Sequence, residues 1–284
     1  AHFEPLKGAA IFLFFLTLGI ELRHEITHGS LAKPRQAVVP IFAALGGMAV
    51  PVIIYSLIND GLPTAAGWGV PMSTDVAFAL AIFAIAAKGL PKQLRAFVLT
   101  VAVVDDSLTI LMIALFFTAN FHLLSVVSLA GVIIGIFMPK GEVVLGKLEN
   151  VVKFGALPIL ALRSAGVSLS GFSLDKLTGS TITIGIVAAM VIGKPLGVIG
   201  TAWLVTKTGL GKLAANLKWA DMLSIAPLFG MCFTVALLMS ELSFGTNDDW
   251  HDTANLSVFI GSTIMALVAT ATLRTRSKSY ARQI

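Results

Sequence analysis

The chain has 284 residues, of which 56% are hydrophobic and only 12% charged, with a mean hydropathy of +0.90. Soluble domains carry about 25% charged residues, so this composition excludes an ordinary soluble enzyme and points to a polytopic membrane protein. The net charge of +5 sits between apolar runs without aromatic interleaving, which argues against nucleic-acid binding, and a single cysteine, Cys232, excludes an intrachain disulfide framework.

In chain order the apolar runs predict nine spans: Leu6–Leu22, Ala37–Leu57, Pro71–Ala87, Leu94–Phe117, Leu123–Met138, Val151–Val167, Thr181–Val205, Met222–Ser240 and Thr253–Leu273. The chain opens at Ala1 and enters an apolar run almost at once, so a truncated or processed N-terminus is expected. Arg23, Lys33 and Arg35 follow the first span, Lys88, Lys92 and Arg95 the third, Lys140, Lys147 and Lys153 the fifth, and Lys207, Lys212 and Lys218 the seventh. Arg274, Arg276, Lys278 and Arg282 form the tail. The alternate loops Asn59–Gly69 and Gly245–Asn255 hold no Lys or Arg, and Ser168–Ser180 holds only Lys176. The positive-inside rule then places the basic loops and the C-terminus in the cytoplasm.

Two spans are interrupted. Pro71–Ala87 is short and opens Pro-Met-Ser-Thr-Asp; Met222–Ser240 contains Pro227-Leu-Phe-Gly-Met-Cys-Phe-Thr234. Proline removes a backbone donor and glycine weakens a helix. Non-helical backbone survives at membrane depth only where it lines a cavity or is buried in protein. Each broken span is the middle one of three, in residues 37–117 and 181–273, and the loop charges run the two groups in opposite directions. That is the inverted-repeat pattern of a transport site, within one membrane domain spanning 1–284 in which residues 118–180 lie between the two groups.

The fourth span carries two adjacent carboxylates, Asp105 and Asp106. A carboxylate in mid-membrane costs about 2.5–3.5 kcal/mol on insertion scales, and two neighbours also repel. A proton, a cation, a buried base or a water-filled cavity must offset them. Lys194, inside Ile192-Gly-Lys-Pro-Leu-Gly197, is a deep base that itself needs a carboxylate, and Asp75, Asp105 and Asp106 are the partners on offer. Three acids and one base leave at least one carboxylate for a cation or a proton. Adjacent helical residues project about 100° apart, so one Asp of the pair can meet Lys194 while the other faces a cavity. Asp75 follows Thr74 at the first interruption, where half-helix ends expose partial charges that either side chain can offset.

Glu21, Arg23, His24 and Glu25 lie at the cytoplasmic end of the first span, where a solvated helix end and a regulatory role are equal readings; Glu149 is similar. Arg163 lies deep in the sixth span and can reach either the outer interface or a carboxylate. The histidines show no metal-ligand spacing, no Walker-type loop supports ATP-driven pumping, and no cofactor is expected. No Gly-x-Gly-Asp pattern surrounds Asp75 or Asp105, against an intramembrane aspartyl protease. A deep lysine opposes a cation channel.

These motifs together resemble the NhaA family of sodium/proton antiporters, itself a standard example of inverted repeats and broken helices. The matching stretches are Phe15–Glu25 with Gly29-Ser-Leu, Ala43-Ala-Leu-Gly-Gly-Met48 with Pro51, Ser73-Thr-Asp-Val-Ala-Phe-Ala79, and Val104-Asp-Asp106. Leu129-Ala-Gly-Val132, Ala165-Gly-Val-Ser-Leu169, Ile192-Gly-Lys-Pro-Leu-Gly197 and Phe233-Thr with Ser243-Phe-Gly245 follow in family order. The resemblance implies an all-α integral membrane protein that exchanges external protons for internal Na⁺ or Li⁺, electrogenically, without ATP, by alternating access in a bacterial inner membrane. By the same resemblance Asp106 is the main cation-binding carboxylate, and Asp105 is the neighbour that pairs with Lys194. Thr74 and Asp75 flank the site, and Glu21, Glu25 and Glu149 match acidic positions linked to pH response.

The chain departs from the family in several places. Family members have twelve helices against nine expected here. The first helix, its following hairpin and two helices between Phe116 and Ser128 have no counterpart, all of them outside the six core helices. The hairpin is a main dimer contact in the family, which leaves a homodimer without its usual basis. Asn150 and Lys153 stand where histidines are frequent, Cys232 replaces a glycine, and Arg163 replaces a small residue. The competing reading is a shortened, non-transporting paralogue that acts as a membrane scaffold. The retention of Thr74, Asp75, Asp105, Asp106 and Lys194 opposes it.

Overall fold

The computed structural model describes residues 4–28, 34–116, 123–138, 141, 143, 144, 146, 179–214, 216–245 and 247–282. All regular structure among them is helical. The expected sixth span Val151–Val167, with Glu149, Asn150, Lys153 and Arg163, lies outside the described residues, as does most of 118–180.

The chain divides into two compact units, Ala1–Lys33 with Asp106–Gly166, and Pro34–Asp105 with Val167–Ile284. In the first, α1 (Glu4–Thr27) packs on α5 (Leu123–Phe137). Small residues make this contact: a Cβ on Gly131 would stand 2.9 Å from the Phe12 carbonyl oxygen. Arg23 closes the end of α5 by donating to the carbonyls of Ile136 (3.2 Å) and Met138 (2.9 Å), as cations do at helix C-termini.

The second unit holds α2 (Pro34–Ile58), a 3₁₀ segment (Pro63–Met72), α3 (Val76–Ala86) and the first part of α4 (Lys92–Phe116). After residue 166 come α6 (Thr181–Ala188), a π turn (Ala189–Gly193), α7 (Lys194–Lys207) and α8 (Trp219–Ile225). A 3₁₀ turn (Ala226–Gly230), α9 (Thr234–Phe244) and α10 (Asp248–Ala281) complete it. Three continuous helices among the described residues are long and apolar enough to cross a membrane: Ala37–Ile58, Thr181–Lys207 and Asp248–Ala281. Counting each bent pair as one span raises this to five. The regular structure of the described residues is all helical and holds three to five candidate membrane crossings.

The π turn follows from Pro195, which lacks an N–H and whose ring crowds the preceding turn of an α-helix. One residue earlier, the Lys194 amide bonds Ala189 O, five residues back, so the helix widens by one residue instead of breaking. On the facing helix, Gly46 meets Gly197 so closely that a Cβ on either would overlap the other's backbone, which brings α2 and α7 into backbone contact.

The interruption expected near Thr74 falls between Met72 and Val76, with a 46° bend. That expected within Gly230–Thr234 falls between Gly230 and Thr234, with a 45° bend. One boundary differs from expectation. The half-helix before the first break begins at Pro63, in a stretch the sequence assigns to the loop Asn59–Gly69. Pro63-Thr-Ala-Ala-Gly-Trp-Gly is small and unperiodic, so it carries no helical signature. Its fold comes from tertiary contacts: Tyr55 Oη donates to Thr64 O (2.8 Å), and Thr64 Oγ1 to Asn59 Oδ1 (2.8 Å). The last helix likewise runs past Leu273 to Ala281, so Arg274, Arg276 and Lys278 are helical.

Candidate ion-exchange site

The two breaks lie against each other, tied by hydrogen bonds across the chain. Asp75 N donates to Met231 O (2.8 Å), and Thr74 Oγ1 donates to Phe229 O (3.0 Å). Thr234 Oγ1 donates to Asp75 Oδ2 (3.0 Å), and Ser73 Oγ meets Cys232 Sγ at 2.7 Å. These bonds satisfy carbonyls and amides that the broken helices leave without intrahelical partners.

Asp75 has a double role. Its Oδ1 accepts from Phe78 N (3.3 Å), which makes it the N-cap of α3. Its Oδ2 receives the Thr234 hydroxyl and, at 3.5 Å, the Thr234 amide, so it also faces the first turn of α9. One carboxylate therefore sits at the positive ends of two half-helices. Two edge-to-face ring pairs pack around the breaks, Phe97 with Phe229 (6.4 Å) and Phe78 with Phe233 (6.0 Å).

Lys194 enters from α7. Its Nζ lies 2.9 Å from Asp105 Oδ2 and donates to Thr74 Oγ1 at 3.1 Å. Both ends of the pair are sealed from solvent, with side-chain exposures of 1% and 2%. Of the partners open to Lys194 on sequence grounds, the fold brings Asp105 to it. The Thr74 hydroxyl accepts from Lys194 and donates to Phe229, so it couples the ion pair to the second break. Asp106, the next residue on α4, is also buried.

The expected residues thus separate into groups. Thr74, Asp105 and Lys194 are gathered by direct bonds, Asp75 follows Thr74 in the chain and bonds the second break, and Asp106 adjoins Asp105 along the helix. Glu21 and Glu25 lie in α1, in the other unit, with side chains outside the described set, and Glu149 is outside it altogether. No cluster of three or more His, Cys, Asp or Glu suited to a metal ion occurs among the described residues.

Residues without an assigned role in the sequence also belong here: Ser73, Thr234 and the carbonyls of Phe229 and Met231. A hydroxyl directly after an unwound stretch is a usable signal for Thr234; the carbonyls have none, because every residue type carries one. Away from the site, Asp221 is fully buried and holds the start of α8 through the Lys218 amide (2.8 Å). It also binds Arg276 Nε (2.6 Å) and Tyr280 Oη (3.0 Å). Arg276 therefore anchors a helix as well as contributing to the positive tail.

The family model described as Na⁺/H⁺ antiporter 1 matches residues 6–145 and 127–273. A Na⁺/H⁺ antiporter NhaA of Streptomyces antibioticus is 37% identical over 320 residues, covering 94% of this chain and 67% of that protein. NhaA 1 of Kineococcus radiotolerans is 34% identical over 95% of this chain and 76% of its own length. NhaA of Citrobacter koseri is 34% identical over 95% and 83%. On this similarity, carried along nearly the whole chain, the protein belongs to the NhaA family of Na⁺/H⁺ antiporters.

Proposed function

We propose that the chain exchanges external protons for internal Na⁺ or Li⁺ across a bacterial inner membrane, with its C-terminus cytoplasmic. The observation that carries this reading is the buried Lys194–Asp105 pair, bonded through Thr74 to two breaks in the helices. A sealed ion pair beside a second carboxylate and non-helical backbone is a poor stabilising device, since apolar packing does as well or better. It suits a site whose charges change partners.

In the proposed cycle Asp106 is the main cation carboxylate and Asp105 its neighbour, with Thr74 and Asp75 holding the broken backbone beside them. Two adjacent buried carboxylates cannot both be ionised cheaply, so one takes up a proton when no cation is present. Na⁺, held by carboxylate and by backbone or hydroxyl oxygens, displaces that proton on one side of the membrane, and a proton displaces Na⁺ on the other. Competition for one site gives coupling, with no second site and no ATP. Electrogenic stoichiometry and Li⁺ transport are part of this proposal.

The moving core in this reading is two inverted three-helix groups, residues 37–117 and 181–273, rocking against panel helices that include 118–180. The matching bends at the two breaks support it. Glu21, Glu25 and Glu149 are assigned to the pH response. With Asn150 and Lys153 in place of histidines, a flatter pH profile than a histidine-bearing antiporter shows is expected. A non-transporting scaffold is disfavoured by the antiporter names of the relatives and by retention of the charged set. The test is collapse of a proton gradient on Na⁺ addition to everted vesicles. The intact chain should respond, and Asp106→Asn should not.

A further inference from the structure

Cys232 is the middle residue of the second break, and neither its amide nor its carbonyl has a helical partner. Ser262 of α10 meets both. Its Oγ accepts from Cys232 N (3.3 Å) and donates to Cys232 O (2.5 Å). The α10 hydroxyls of Thr263, Thr270 and Thr275 bond only back along their own helix, to Phe259 O, Ala266 O and Ala271 O, whereas Ser257 and Thr272 also reach Thr183 and Ser224 and Ser277 reaches Lys88. The neighbours of Ser262 face the same way. A Cβ on Gly261 would stand 2.9 Å from Met190 Sδ in the π turn, and one on Gly230 would stand 2.6 Å from Met265 Cε.

We infer that Ser262 is a positioning residue for ion exchange. Its hydroxyl splints the backbone of Cys232 and so fixes the two groups on either side that hold Asp75, the Met231 carbonyl and Thr234. A break needs its freed backbone groups satisfied, and a hydroxyl that both accepts and donates can satisfy two at once. Without it the segment 231–233 has a free amide and a free carbonyl, and it can shift or take in water. This rests on the antiport reading for its purpose, but not for its geometry.

Cys232 is the only cysteine and is 1% exposed, so its thiol reports on the break directly. The experiment is the rate of N-ethylmaleimide labelling of the full chain in proteoliposomes, beside Na⁺-dependent proton exchange in the same preparation. Ser262→Ala should label about tenfold faster than wild type, as expected for losing these hydrogen bonds. Ser262→Thr, which keeps the hydroxyl, should restore the slow rate. Ser257→Ala, which breaks a bond to Thr183 Oγ1 from the same helix, should leave labelling slow. In the exchange assay Ser262→Ala should raise the half-saturating Na⁺ concentration severalfold, and Ser257→Ala should not. Labelling of Ser262→Ala at the wild-type rate would overturn the inference, as would Ser262→Thr labelling as fast as Ser262→Ala. Should Ser262→Ala not fold, Ser262→Thr decides alone: a wild-type rate supports the splint, and a faster one contradicts it. Failure of the wild-type chain to exchange ions would remove the antiport reading and leave the labelling comparison to decide on Ser262.

Discussion

The two helix breaks have nearly the same bend, 46° and 45°, but they are built from different materials. The first supplies side chains: Ser73, Thr74 and Asp75, the last of which caps its own downstream helix. The second supplies mainly backbone: the carbonyls of Phe229 and Met231, with Thr234 as its one direct side-chain link to Asp75. Phe233, at the start of α9, provides no side-chain cap. The second break therefore depends on groups carried by the first and by Ser262. Two interruptions that are alike in geometry are unequal in cause, and substitutions should reveal the inequality.

The largest effect is expected where the breaks meet the ion pair. Lys194→Ala leaves the buried Asp105 carboxylate without its cation, at a cost of about 3–5 kcal/mol, and should lower the melting temperature in detergent by about 10 °C. Removing both charges, as Lys194→Ala with Asp105→Ala, should recover much of that loss. A melting temperature unchanged by Lys194→Ala would mean that the pair contributes nothing to the fold.

Asp75 comes next, because both half-helices use it. Asp75→Ala should cost about 1–3 kcal/mol, more than an ordinary N-cap loss, since it uncaps α3 and leaves Thr234 unmatched as well. Asp75→Asn keeps an oxygen for Phe78 but presents one amide to the second break, so it should fall between wild type and Ala. Equal costs for Asn and Ala would show that only one of the two ends matters.

Thr234→Val probes the second break alone. It removes one hydroxyl with little change in shape and should cost about 1 kcal/mol, while Thr234→Ser should be almost silent. A larger loss for Thr234→Val than for Asp75→Ala would reverse the dependence of the second break on the first.

This inequality also explains what is legible in the sequence. Asp75, Asp105 and Lys194 stand out because charges are rare in apolar runs and must find partners. Pro227 and Gly230 mark the second interruption for the same kind of reason, since each weakens a helix. Which acid meets Lys194 is not legible from charge and spacing, because three are available; the family resemblance names Asp105, and the fold brings it to Lys194. The carbonyls of Phe229 and Met231 leave no trace in residue identity. The 3₁₀ half-helix from Pro63 has no periodicity to read and depends on the side chains of Tyr55 and Asn59. Ser262 reads as an ordinary small residue of a membrane helix until its partner is seen.

The central claim is that protons and Na⁺ compete for one site built on Asp106 beside Asp105. The most direct measurement is Na⁺ binding to the purified full chain by calorimetry across a falling pH series, with Asp106→Asn in parallel. The account predicts that apparent Na⁺ affinity drops steadily as protons are added and that Asp106→Asn abolishes binding. An affinity independent of pH, or one that survives the substitution, would contradict it.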